Sequence, residues 1–351
     1  MRDDRDEAAA AHPAQRLKAG KLPPELLERC LARIPHDDPR VILWPAVGED
    51  AAAIAFGDRL LIAKTDPITF AADLIGWYAV NINANDVATC GAASRWFMAT
   101  ALLPETAEAG LAEGIFDQII RGCGELGISL VGGHIEVTPQ VARPVVVGCM
   151  LGEVARGGLV RTGGAEVDDQ VVLTKGIAIE GSAILAREAA ADLRARGVSE
   201  ETIAAAREFL FRPGISVVAD AAALLRVGGV TAMHDPTEGG LATGLAEMAS
   251  AGKHGLRINL EAIPMLSECR EICAALGLDP LGLIASGALL AALAPEQAPL
   301  AVEELGAQGI SAAVIGEVRP HDEGLALVGP GGERPLPRFE RDEVARYFDE
   351  R

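Results

Sequence analysis

The chain has 351 residues, half of them hydrophobic, and a formal net charge of −19. That length predicts two domains with a sizeable core, not a disordered polymer. So acidic a surface repels phosphate backbones and anionic lipid, which argues against nucleic acid and a membrane surface as partners. Six scattered cysteines, with Cys269 and Cys273 the one close pair, fit reduced thiols in a cytoplasmic protein better than a zinc site or a disulfide framework. The charged start and the lack of an apolar run of ~20 residues predict neither a signal peptide nor a membrane span.

Residues 1–40 read as a polar, Pro-punctuated extension with one short helix over 25–34. Residues 41–155 read as one α+β domain. It begins with a strand at 41–43 and a tight hairpin, in which apolar runs 51–56 and 59–65 flank Gly57-Asp58. A helix over 74–90 stopped by Gly91, a strand at 95–103, a helix over 107–126 and strands at 128–131 and 144–154 complete it. The Gly-rich, charged stretch 156–169 reads as a linker. A second α+β domain, 165–320, opens with a strand at 170–174 and helices over 181–195, 199–211 and 215–227. Strands at 230–233, 256–260, 288–293 and 312–318 then alternate with helices over 239–251, 265–276 and 296–305. Residues 321–351 read as a tail with a short charged helix. No fixed-period repeat is present, which excludes solenoids and propellers.

The hairpin carries the first chemical signal. A two-residue turn at Gly57-Asp58 sets Asp50 opposite Thr65, with Asp66 one residue further, so Glu49, Asp50 and Asp66 gather at one end of a sheet. Converging acids that offer only oxygen suit Mg²⁺, although a solvated strand end also accommodates them. Asn81, Asn85 and Asp86 interrupt an apolar helix, and Asp86 lies about 100° from the face that the two asparagines share. Either that face is wet or these weak helix formers have a partner.

In L-V-G-G-H-I-E-V, Gly132 and Gly133 permit close approach of a ligand, and His134 and Glu136 share a face if the strand continues. A hydrogen-bonded structural histidine is the alternative. In M-H-D-P-T-E-G-G-L, Asp235, Pro236 and Glu238 fit N-cap, N1 and N3 of a helix, whose first N–H groups suit a phosphate. Lys175, just past a strand, reads as a phosphate contact or as a surface lysine. Neither a Walker loop nor a dinucleotide G-x-G-x-x-G occurs.

Taken in order, V-G-E-D-A-A-A-I, K-T-D-P-I-T-F, N-A-N-D-V-A-T-C-G-A, L-V-G-G-H-I-E-V-T-P and H-D-P-T-E-G-G-L resemble the signature blocks of the aminoimidazole-ribonucleotide synthetase superfamily. That superfamily includes selenophosphate synthetase, thiamine-monophosphate kinase and formylglycinamidine-ribonucleotide synthetase. H-D-P-T-E-G-G-L followed by D-P-L-G-L-I-A-S-G is most similar to its hydrogenase-maturation carbamoyl dehydratase branch. The resemblance implies a mixed-sheet, β-barrel-forming first domain that makes a homodimer through its strands, an α+β second domain, and Mg-ATP in a cleft. It implies Asp50, Asp66, Asp86 and Asp235 as metal-holding residues and Asp86, His134 and Asp235 as catalytic ones. Nucleotide contacts would come from Asp50, Asp66, Asn85, Gly132, Gly133, Lys175, Thr237, Gly239 and Gly240.

The dehydratase branch ends in a Pro-Arg-Ile-Cys tail, whereas this chain ends A-R-Y-F-D-E-R and its last cysteine is Cys273. Ile135 also stands where the family usually has Thr. The expected reaction is therefore the one common to the superfamily, ATP-driven phosphorylation or activation of a small-molecule oxygen. The alternative is an ATP-binding, non-catalytic maturation partner that binds another protein.

Overall fold

The computed structural model describes residues 20–69 and 73–350, so the reading of the first 19 residues lies outside it. After α1 (Pro24–Leu31), the first half of the chain builds one sheet from β1 (Val41–Leu43), β2 (Ala52–Phe56), β3 (Arg59–Ile68), β4 (Ala93–Leu103), β5 (Ser129–Val137) and β6 (Val145–Ala155). Helix α2 (Ile75–Thr89) lies between β3 and β4, and α3 (Ala109–Leu126) between β4 and β5. The strand order is β1-β2-β3-β6-β4-β5, antiparallel except for the parallel pair β4–β5. The turn at Gly57, φ +63°, sets the register expected of it, with Phe56 opposite Arg59 and Ala52 opposite Ala63.

Alternation along the strands divides the two faces of this sheet. Leu60, Ile62, Phe97, Ala101, Val146 and Met150 point under α2 and α3 into the core. Gly148 and Gly152 let α2 lie directly on β6, because a Cβ there would come within 2.3 Å of Asn83 Nδ2 and 2.4 Å of Val87 Cγ1. No described element covers the opposite face, where Leu61, Ala63, Met98, Leu102, Val147 and Leu151 are half-buried. Among the described residues the sheet is open, with β1 and β5 as its edges, and closes no barrel. The strand expected at 128–131 runs on to Val137.

The second half forms a seven-stranded sheet. Its elements are β7 (Gln170–Thr174), α4 (Ile179–Glu188), α5 (Ala190–Ala195), α6 (Glu200–Arg207), α7 (Val218–Val227), β8 (Val230–His234), α8 (Gly240–Gly252), β9 (Gly255–Asn259), α9 (Ser267–Leu276), β10 (Leu290–Leu293), α10 (Ala298–Ala307), β11 (Ala312–Arg319), β12 (Leu325–Gly329), β13 (Gly332–Pro335) and α11 (Glu343–Asp349). The order is β13-β12-β9-β11-β7-β10-β8. Helix α8 packs on one face with Val171, Leu173, Leu290 and Ala292, and α7 and α10 on the other with Val172, Leu289, Ala291 and Leu293.

The stretch read as a tail is part of this fold. Pro330-Gly331 closes a hairpin between β12 and β13, and Val344 and Tyr347 of α11 enter the main core. The helix expected over 181–195 is divided at Ala189 into α4 and α5. One apolar cluster runs from the first sheet through α2 into α4, α6 and α9, joining the two halves.

Candidate functional site

Every residue of α2 is buried. The wet-face alternative for its polar residues is therefore excluded, and each asparagine needs a partner. Asn81 and Asn83 donate to the carbonyls of Trp77 and Ala79 one turn back. Asn85 donates to Ile215 O at 2.8 Å and accepts from Val217 N at 2.8 Å, so its amide ties the two halves together. The side chain expected to contact a nucleotide thus serves the joint between the halves in this structure.

The halves meet at a group of charges. Asp50 precedes β2, Lys64 and Asp66 lie on β3, Asp86 is on α2, His234 ends β8 and Asp235 follows it. Asp50 Oδ2 accepts from Thr89 Oγ1 and Thr162 Oγ1, both at 3.2 Å, and from His234 Nδ1 at 3.1 Å. His234 Nε2 faces Glu247 Oε2 at 3.0 Å, and Lys21 Nζ donates to Glu247 Oε1 at 3.0 Å. Burial disfavours a charged His234, but Asp50 and Glu247 outweigh it and hold its pKa well above the usual range. Burial also opposes the charge on Asp50, yet His234 keeps that carboxyl below its ordinary value.

A carboxylate on each ring nitrogen favours the imidazolium form of His234, which offers no lone pair to a metal. This holds even though single atoms of Asp50, His234 and Asp235 lie within 4.8 Å of one another. The His234 ring holds Asp50 Oδ2 in place at 3.1 Å.

The remaining acids lack such partners. Asp235 is 2% exposed, and among the described residues neither of its oxygens has a hydrogen-bond partner; Asp86 Oδ2 has none there either. Burial pushes the Asp86 carboxyl up to about 7 against the pull of Lys64, and burial with Asp86 and Asp50 raises Asp235 well above the carboxylate range. Unpaired, buried, mutually repelling oxygens fit a hard divalent cation such as Mg²⁺. Lys64 Nζ stands 3.2 Å from Asp86 Oδ1 and 3.7 Å from Asp66 Oδ2. Sequence reasoning missed Lys64, although Leu60 and Ile62 mark its parity on β3 as inward.

The other expected residues lie elsewhere. His134 pairs with Thr100 on the open face of the first sheet, opposite to the face that carries Lys64 and Asp66. The strand does continue there, and His134 Nε2 meets Glu136 Oε2 at 3.1 Å. Gly132 and Gly133 lie on the same edge strand. A single chain brings none of the three to the acidic cluster.

Lys175 is neither a surface lysine nor free for phosphate. It is 6% exposed and paired with Asp220 at 3.1 Å, and it also donates to the carbonyl of Ser216. Asp235 is not an N-cap, because α8 begins at Gly240 after two left-handed glycines, Gly239 at φ +78° and Gly240 at +65°. Thr237 O accepts from Gly240 N and Ala285 N, and Gly239 N donates to Asp342 Oδ2 at 2.8 Å. The Gly239 N–H assigned to a phosphate thus faces a carboxylate of the chain's own C-terminal segment.

Residues 48–154 match the family profile of the AIR synthase related protein N-terminal domain, and residues 166–327 that of its C-terminal domain. The carbamoyl dehydratase HypE of Rhizobium leguminosarum bv. viciae is 31% identical over 290 residues, spanning 80% of this chain and 79% of that protein. A putative hydrogenase expression/formation protein of Methanocaldococcus jannaschii is 28% identical over 306 residues, spanning 83% of this chain and 88% of that one. Two solved structures share the fold. Hydrogenase maturation protein HypE in complex with ATP has a TM-score of 0.70 at 24% identity, covering 88% of this chain and 92% of that one. AaThiL complexed with AMPPCP and TMP has a TM-score of 0.69 at 20% identity, covering 90% and 94%. Among the described residues, no helix is long and apolar enough to cross a membrane.

Proposed function

The chain belongs to the AIR synthase related family, and from that footing we propose that it is an Mg-ATP-dependent enzyme that phosphorylates or activates an oxygen of a small molecule. The observation that carries the reading is Asp235, buried with both oxygens unpartnered beside Asp50 and Asp86. In this reading Asp50, Asp86 and Asp235 hold Mg²⁺, with Asp66 at the rim and His234 fixing Asp50. Bound there, Mg²⁺ supplies the positive charge that a triphosphate needs and that a chain of net charge −19 cannot supply in bulk. Phosphoryl transfer asks chiefly for positioning and electrostatic stabilisation, which a charged cluster of this kind supplies. A fold shared with ATP-bound HypE and AMPPCP-bound ThiL supports the nucleotide.

His134, Gly132 and Gly133 enter this reading through a second copy of the chain. The uncovered apolar face of the first sheet is the surface for a homodimer, and a charge at its centre, Leu151→Arg, should yield monomers in analytical ultracentrifugation. Unchanged mass would remove the three residues from the site.

The primary test is a calorimetric ATP titration in Mg²⁺ and in EDTA. Binding that needs Mg²⁺ is expected. Absence of binding in both conditions would refute the reading and leave the family scaffold without nucleotide chemistry.

A further inference from the structure

The acidic cluster already contains a cation. Lys64 leaves β3 on the helix-covered side, 19% exposed, with its ammonium between Asp86 and Asp66. Asp50 and Asp235 act on the same charge. One ammonium therefore serves four carboxylates, while both oxygens of Asp235 and Oδ2 of Asp86 have no hydrogen-bond partner among the described residues. The contrast with His234 is geometric. Carboxylates at 3.1 and 3.0 Å fix that ring on both sides, whereas Lys64 has one close partner at 3.2 Å and a second at 3.7 Å on a flexible stem.

We propose that Lys64 is a tethered counter-cation of this site, which a divalent ion displaces from Asp86 and which then pairs with the polyphosphate of a bound nucleotide. The proposal rests on the Mg-ATP reading and extends it to the order and coupling of binding. A divalent ion at Asp86 and Asp235 repels an ammonium a few ångströms away, so metal alone binds against Lys64. A polyphosphate offers the ammonium another anion within reach of its stem and removes that opposition. Metal and nucleotide then assist each other by equal factors, because a coupling free energy is reciprocal.

The experiment is Mn²⁺ binding to the full chain without nucleotide, read by electron paramagnetic resonance of free Mn²⁺. It compares wild type, Lys64→Met and Lys64→Arg at about pH 8.5, where protons compete least for the vacated carboxylates. Lys64→Met should bind Mn²⁺ alone at least about ten-fold tighter than wild type and should lose most of the help that metal gives to ATP; Lys64→Arg should keep the wild-type pattern. A folded Lys64→Met that binds Mn²⁺ no tighter overturns the proposal.

Acetylation of Lys64 in the wild-type chain, followed by mass spectrometry, needs no variant. Reactivity should rise with Mn²⁺ and fall again when ATP is added to the Mn²⁺ complex; reactivity indifferent to Mn²⁺ also overturns it. Wild type that binds metal and ATP while both readouts stay flat refutes the tethered cation alone. Wild type that binds neither refutes the functional reading with it.

Discussion

Replacing Asp86 by Asn should stabilise the protein and abolish its turnover, and the size of the gain follows from the electrostatics of the cluster. Asp86 is buried and ionises only near pH 7, against an ordinary value of 3.8. Because the folded-state value is the higher one, its contribution to stability is complete below the unfolded value and is lost as pH rises through about 7. A difference of about three pH units corresponds to ~4 kcal/mol of destabilisation once the carboxyl is fully ionised. Asparagine keeps the shape without the charge, but Lys64 loses its nearest partner and retains Asp66 at 3.7 Å. The net gain should therefore be about 1–3 kcal/mol at about pH 8, a rise in Tm of ~2–6 °C, and should shrink as pH falls and vanish near about pH 4. Thermal melts of wild type and Asp86→Asn at the two pH values measure it. Adding Mg-ATP should raise the Tm of wild type only. A variant less stable than wild type at about pH 8, or equally stabilised at both pH values, would show that the carboxyl is not held against its own charge.

Three further outcomes follow from the same reasoning. Burial raises Glu180 from 4.5 to about 7, and Oε2 has no partner, so Glu180→Gln should gain up to ~3 kcal/mol above pH 7 and nothing below pH 4.5, read by denaturant melts. Removing Lys175 leaves Asp220, 1% exposed, as an unpaired buried charge. Lys175→Met should cost ~3–5 kcal/mol in urea unfolding, while the folded fraction keeps its ATP affinity in calorimetry; lost affinity would restore the phosphate role. Glu247→Ala frees one side of the His234 ring and loosens Asp50, which should weaken Mn²⁺ binding in the presence of ATP by ~10–100-fold; an unchanged affinity would detach His234 from the metal site.

Much of the fold was legible wherever local chemistry agreed with the global structure. Gly57-Asp58 gave the hairpin register, and hence the approach of Asp50 to Asp66, because a two-residue turn leaves no freedom in pairing. The Pro330-Gly331 hairpin was just as local, but its strands of five and four residues sit among other Gly and Pro and lack a visible alternation. Asp235 misled for a definite reason. Asp-Pro-x-Glu has the composition of a capped helix start, yet Gly239 and Gly240 take left-handed φ values that end any helix passing through them. Within one chain His134 lies away from the cluster because of a property that composition does not carry, namely which face of a sheet a strand presents after a register shift. The shift between Phe97 and Met98 of β4 skips Val131 of β5, which reverses the parity of everything after it.

The residues least legible in sequence are those whose local preference is broken, and they converge on one place. A lysine at an inward strand position, an asparagine-rich helix buried on all sides, and an aspartate without any hydrogen bond each cost stability alone. They become consistent when taken together. Asn85 spends its amide joining the two halves, which sets Asp86 on α2 against Asp235 beyond β8; His234 and the two threonines saturate one oxygen of Asp50. The other side of the cluster is left with Asp86 Oδ2 and both Asp235 oxygens without a partner among the described residues. In the same helix the amide groups of Asn81, Asn83 and Asn85 each donate to a backbone carbonyl. Unpartnered carboxylate oxygens held beside the tied Asp50 are the physical ground for the proposal that a cation and its anionic ligand complete the site.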